Sequence, residues 1–205
     1  MVFFEYGETE LTHLKKACPK LAAVINEAGM LKREVALDLF KSLISGIISQ
    51  QISTKAAVTV FARVEVLVGR LTADNILAQT DEALQACGLS YRKVGYIKGI
   101  CEAVKSGSLD LESLVHLTDE EVVAKLVALK GIGVWSAEMF LLFSLQRLDV
   151  LSYGDLVIRK GIMQLYDLDD LSKKEFDVYR KLYAPYGSIA SLYLWELAND
   201  KQVSK

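Results

Sequence analysis

The segment Leu126-Val-Ala-Leu-Lys-Gly-Ile-Gly-Val-Trp-Ser-Ala-Glu-Met-Phe140 reads as a helix, a tight turn with glycines at 131 and 133, and a second helix. Glycine tolerates positive φ and leaves the backbone bare to an approaching phosphate, and the N–H groups opening the second helix lack intrahelical acceptors and suit an anion. Such a turn grips a phosphate or merely joins two helices, and the turn alone leaves both readings standing. Asp155 follows Tyr153-Gly154 and precedes an apolar helical stretch, the spacing of a helix N-cap. Trp135 and Trp195 offer π faces that attract electron-poor, cationic groups. His13 and His116 lack Cys or carboxylate partners at ligand spacing, so zinc is not expected. No Ser or Cys nucleophile has a local His base, and Gly131-x-Gly133 is too short for a dinucleotide loop.

The elements that must hold these residues are helices almost throughout. Leu37, Phe40, Leu43, Ile44, Ile47 and Ile48 recur at three and four, the spacing of one buried helix face. Further helices are predicted over 8–17, 19–28, 53–67, 72–79, 81–86, 90–104, 118–128, 134–145, 155–166, from 172 onward, and 188–197. Thr118 to Glu121 and Ser172 to Glu175 have capping-box spacing. Two prolines and thirteen glycines are too few for the many short strands of a sandwich or barrel, so the class is all-α. Three cysteines at wide spacing argue against a disulfide framework and point to a reducing cytoplasm. The N-terminus has no export signal, and no apolar run approaches the ~20 residues that span a bilayer, so no membrane is involved. A net charge of −2 predicts no polyanion partner by itself, so any nucleic-acid contact must rest on local placement of Lys and Arg.

Four blocks of the sequence resemble the helix-hairpin-helix DNA glycosylases, and within them the branch of 3-methyladenine DNA glycosylase II: residues 48–57, 88–97, 129–139 and 149–156 running on to Arg159. The resemblance implies two helical lobes with a base-binding cleft between them. It divides the chain into a central lobe of residues 30–148, ending in the hairpin, and a second lobe of 1–29 with 149–205. It places the catalytic aspartate on Asp155, at the mouth of a solvent-filled cleft, and a loop-fixing role on Asp149. It also implies a base pocket of Trp135, Trp195 and Met139, the last standing where that branch often has an aromatic. Trp135 takes the position at which bifunctional relatives carry a Schiff-base lysine. The implied wedge that fills the gap of a flipped base is Gln51 with Gln50. Phosphate contacts fall on Lys130, Gly131, Gly133 and Ser136, with some of Ser53, Lys55, Arg92, Lys93 and Lys98, and Arg159 and Lys160 lie beyond the catalytic residue.

The resemblance further implies a Na⁺ or K⁺ ion held by the carbonyls of Val127, Leu129 and Gly131, and otherwise no cofactor. The four-cysteine loop of the iron–sulfur branch is absent, since no cysteine follows Cys101. The expected protein is therefore a monomeric, monofunctional glycosylase that hydrolyses the N-glycosidic bond of alkylated purines in double-stranded DNA, in the cytoplasm at the nucleoid. The alternatives are a relative acting on deaminated or oxidised purines, which Met139 and Gln51 suggest, and a non-catalytic DNA-binding module that keeps only the hairpin.

Overall fold

The structure is a computed structural model that describes residues 2–200. Among them run α1 (Glu8–Ala17), α2 (Pro19–Ala28), α3 (Leu39–Ser49), α4 (Thr54–Val68), α5 (Ala73–Leu77) and α6 (Asp81–Ala86). They continue with α7 (Tyr91–Lys105), α8 (Asp119–Val127), α9 (Val134–Phe143), α10 (Leu156–Tyr166), α11 (Lys173–Tyr183) and α12 (Gly187–Asp200). A 3-10 turn, Glu112–His116, precedes α8, and the described residues hold no extended pairing beyond an isolated bridge between Phe3 and Glu34. The class is all-α, as the periodicity predicts.

Side chains that compete for backbone N–H groups begin most of these helices. Ser53, Thr72, Thr80 and Ser90 each accept a hydrogen bond from the N–H three residues on. Both predicted capping boxes close: Thr118 with Glu121 and Ser172 with Glu175. Several ends differ from expectation: α5 and α9 stop two residues early, at Leu77 and Phe143, and α12 begins at Gly187 and runs on to Asp200.

The chain forms two compact units, residues 36–140, and 1–35 together with 141–205. Residues 30–35 and 141–148, expected in the central lobe, go with the termini instead. The reason is backbone pairing: Phe4 N–H donates to Arg33 O (2.8 Å), Val35 N–H to Val2 O (3.0 Å), and Ser188 N–H to Leu148 O (3.0 Å).

In the 36–140 unit the core is Leu43, Ile44, Ile47 and Ile48 of α3 packed with Val64, Val94, Ile97, Ile100 and Leu126, all buried. Each such side chain contributes roughly 1.5–3 kcal/mol of burial. In the other unit Leu14, Leu21, Ile25, Ile158, Ile162, Phe176 and Leu192 do the same. There α10 and α12 approach backbone to backbone, because a Cβ on Gly161 would stand 2.5 Å from Leu194 O. That approach brings the start of α10 beside the residue after Leu194, which is Trp195.

The three cysteines are buried free thiols. Burial pushes the Cys101 thiol up to about 12 and raises Cys87 as well. No described helix is long and apolar enough to cross a membrane.

Candidate functional site

Asp155 is the N-cap of α10, in extended backbone (φ −83°, ψ 110°). Its Oδ1 accepts from Val157 N–H and Ile158 N–H, each at 2.9 Å, and from Trp195 Nε1–H at 3.2 Å. Two backbone donors at the head of α10 and one indole donor thus converge on a single carboxylate oxygen. The residue is only 6% exposed, which corrects the expectation of a side chain facing a solvent-filled cleft. The tryptophan that donates to it comes from 40 residues further along the chain.

The loop leading to Asp155 is fastened to the start of α12. Asp149 Oδ1 accepts from Gly187 N–H (2.9 Å), and a Cβ at Gly187 would lie 2.9 Å from that oxygen, so the position takes glycine. Ser188 Oγ accepts from Val150 N–H and donates to Arg147 O, Ser191 Oγ donates to Val150 O, and Arg180 Nη2 donates to Leu151 O. Together they hold residues 147–151 in place before the turn into Asp155.

Trp195 lies on α12 with its ring stacked on Phe143, centroids 5.7 Å apart and planes 16° from parallel. Sequence reasoning missed Phe143. Its signal was spacing: Trp135, Met139 and Phe143 fall at i, i+4 and i+8 on α9. Trp135 is 47% exposed and Met139 half-buried, so neither is a core residue. Tyr193 and Tyr186, near Trp195 in sequence, are engaged elsewhere: Tyr193 Oη donates to Gly29 O, and the Tyr186 ring packs edge-on against His13.

In the 36–140 unit, residues 128–133 make the predicted tight turn between α8 and α9, with Ile132 N–H donating to Leu129 O (3.2 Å) and the Ile132 side chain buried. Gly131 has φ +92°, and a Cβ there would stand 2.3 Å from the Tyr96 ring. Glycine at 131 therefore admits Tyr96, whereas at Gly133 a Cβ would meet open space. The bare face suited to a phosphate is Gly133, beside exposed Lys130, Val134 and Trp135, with Ser136 half-buried. The opening of α9 follows directly: Ala137 N–H reaches Gly133 O (3.0 Å) as its first α-helical bond.

Gln50, expected beside Gln51 as a wedge, turns inward instead: its Nε2 donates to Gly131 O at 2.8 Å. The side chain is therefore tied to the hairpin. Gln51 is exposed and sits in the left-handed region (φ 58°), which turns it away from the direction of α3. Three expected phosphate contacts are also engaged within the unit. Lys93 Nζ donates to Ile48 O and Gln50 O, Lys98 pairs with Asp81, and Ser53 Oγ accepts from Ala56 N–H.

Among the described residues no group of three or more His, Cys, Asp or Glu could hold a metal. The carbonyls of Val127, Leu129 and Gly131 are a neutral donor set that fits a monovalent rather than a divalent ion. Leu129 O and Gly131 O already accept one hydrogen bond each, from Ile132 N–H and Gln50 Nε2, and each keeps a second lone pair.

Residues 44–185 match the family described as HhH-GPD superfamily base excision DNA repair protein. DNA-3-methyladenine glycosylase 1 of Schizosaccharomyces pombe is 36% identical over 171 residues, covering 81% of this chain and 75% of the relative. The crystal structure of a DNA-3-methyladenine glycosidase from Bacillus halodurans superposes with a TM-score of 0.89 at 39% identity, covering 99% of this chain and 95% of that one. A 3-methyladenine DNA glycosylase of S. pombe in complex with abasic DNA gives a TM-score of 0.80 at 32% identity, covering 92% and 95%. A tethered carboxylate at the head of one helix, a glycine hairpin in the other unit and these likenesses agree, and the chain belongs to the HhH-GPD superfamily of base excision DNA repair proteins.

Proposed function

We propose that the protein is a monofunctional DNA glycosylase that removes alkylated purines of the 3-methyladenine type from double-stranded DNA. The observation that carries this reading is Asp155, a carboxylate fixed by two backbone N–H groups and an indole N–H in a chain more than a third identical to named 3-methyladenine glycosylases.

The chemistry follows from the charge. As the bond between C1′ and the purine nitrogen breaks, its electron pair leaves with the base and positive charge develops on the sugar. A carboxylate beside C1′ stabilises that charge, and water then adds at C1′ and loses a proton, leaving an abasic site. An alkylated purine already carries positive charge, so it departs with little acid assistance. Trp135 offers no amine for a Schiff base, which supports hydrolysis without strand cleavage. Trp135, Trp195 and Phe143 supply faces that attract a cationic base, worth about 0.5–2 kcal/mol each. Gln51 is the wedge. Lys130 and the N–H groups at Gly133 and Ser136 take phosphates. The Val127, Leu129 and Gly131 carbonyls would hold Na⁺ or K⁺, which supplies a positive charge for a phosphate. Buried free thiols support a reducing cytoplasm as the compartment, with the nucleoid as the place of its DNA.

The test is to incubate the protein with duplexes that each carry one lesion, then heat in alkali to cut abasic sites. Cleavage at 3-methyladenine or 7-methylguanine only after alkali supports the reading. Excision confined to deaminated or oxidised purines would move it to another branch, and binding with no excision would leave a DNA-binding module.

A further inference from the structure

Lys93 is a cation turned into the protein. Its ammonium, on the first turn of α7, donates to two carbonyls where α3 ends, Ile48 O at 2.8 Å and Gln50 O at 2.6 Å. Those carbonyls lie past the point where the helix can supply N–H partners, at the negative end of its dipole. Burial, and Arg92 next to it, hold the Lys93 ammonium below the usual lysine range, as expected of a charge drawn away from water. The two contacts fix the Ile48–Ser49 and Gln50–Gln51 peptide groups, the second of which leads directly into Gln51 in the left-handed region. The same Gln50 passes its side chain to the hairpin, where Nε2 donates to Gly131 O. On the far side of Gly131 the ring of Tyr96 occupies the space a Cβ would need. Lys93 and Tyr96 both belong to α7, so one helix braces the α3 turn and the hairpin from a single rigid element.

We infer that Lys93 is a positioning residue that, through Gln50, holds the Gln51 turn and the Gly131 hairpin in one fixed arrangement. This inference rests on the reading of Gln51 and the hairpin as DNA-contacting parts. A compact ammonium suits the role because it reaches two diverging carbonyls at once, which the planar guanidinium fork of arginine does not reproduce.

The experiment compares wild type with Lys93→Met, Lys93→Arg and Gln50→Ala. Hydrogen exchange in the free protein, which needs no DNA, reads the relay directly. Lys93→Met should speed exchange in 49–52 and also in 129–133, and Gln50→Ala should do so in 129–133. Faster exchange in 49–52 alone would overturn the relay. Binding to a duplex with an abasic-site analogue, measured over a salt series, separates positioning from phosphate contact. Lys93→Met should weaken binding about tenfold, as expected for loss of a charge-assisted hydrogen bond, with the salt slope unchanged. In single-turnover excision, the enzyme concentration for half-maximal rate should rise by a similar factor while the maximal rate falls by no more than about twofold. Lys93→Arg should not restore affinity. A salt slope shallower by about 0.9 in Lys93→Met, or full rescue by arginine, would make Lys93 a phosphate contact and sink the inference. If wild type neither binds nor excises, the proposed function fails, and the exchange result still decides the relay.

Discussion

Replacing Asp155 by Asn separates what the carboxylate does as a cap from what its charge does. Asparagine caps helices as well as aspartate, and its carbonyl oxygen can face the three donors that Oδ1 now accepts. The variant therefore keeps the shape and loses the charge. Losing a carboxylate at a partly buried helix N-terminus costs about 1 kcal/mol, with 2 as an upper figure. For a chain of 205 residues that is a Tm lower by about 2–4 °C per kcal/mol. A residue 6% exposed should show this cost, whereas one open to solvent would not. The chemical effect should be much larger. Removing one preorganised electrostatic group from a charged transition state typically lowers the rate by about 10² to 10³, or about 2.7–4 kcal/mol.

The assay is single-turnover release of 7-methylguanine from methylated DNA, wild type and variant compared at equal folded concentration below either Tm. A rate within about threefold of wild type would refute the catalytic role of Asp155. Asp155→Ala is the contrasting control. It strips the cap and leaves the indole N–H of Trp195 without this acceptor, so it should cost about 2 kcal/mol or more in stability.

Other outcomes follow from the same geometry. Trp195→Phe keeps an aromatic ring for Phe143 but removes the 3.2 Å donor, so excision should fall by about threefold to tenfold with little change in Tm, and an unchanged rate would show the indole N–H to be idle. Iodoacetamide at pH 8 should leave Cys101 and Cys87 unlabelled in the folded protein and label both after unfolding, because burial raises both thiols; fast labelling of the native protein would contradict this. Glu121 and Glu175, held below the ordinary carboxylate range by their caps, stabilise the fold fully above about pH 4.3, and that contribution disappears as pH falls through their lower folded values. Thermal unfolding from pH 7 to 3 should show less acid sensitivity in the double variant Glu121→Gln with Glu175→Gln than in wild type. With Lys93 and Lys98 engaged, few side chains remain for phosphates, so affinity for undamaged duplex should fall with salt at a slope of about −3, for some three neutralised phosphates.

What the sequence revealed was what depends on neighbours in the chain. Thr118, Ser172 and Ser90 announced their helices because a cap is an exchange between a side chain and an N–H three residues away. Asp155 was legible as an N-cap for the same reason. Its third donor was not, since that indole arrives from Trp195, 40 residues further along the chain. Gln50 and Gln51 are chemically identical neighbours, and only the backbone turn at φ 58° decides that one faces Gly131 and the other solvent. Gly131 looked like a glycine kept for a ligand, but the group that requires its missing Cβ is Tyr96, 35 residues earlier in the chain. The Phe3–Glu34 bridge and the 3-10 turn at 112–116 have no period to betray them.

Net acidity and DNA contact are compatible once the cations are sorted by what they touch. In the 36–140 unit Lys41, Lys98 and Lys105 are paired with Glu65, Asp81 and Asp74, and Lys93 faces carbonyls. The three paired charges add little long-range attraction for a polyanion, and Lys93 keeps its charge but spends its hydrogen bonds on carbonyls. The groups left at the hairpin are backbone N–H donors at Gly133 and the helix start behind it, with Lys130 beside them. Such donors act only at hydrogen-bond range, so in the proposed role they would hold a phosphate that has already arrived and draw in none from a distance. A scanning enzyme benefits from that balance, because weak, short-lived contact with undamaged duplex lets it move on. Under the proposed function, discrimination falls to parts that engage only an extruded base, among them the stacked faces of Phe143 and Trp195 and the carboxylate that accepts from the Trp195 indole.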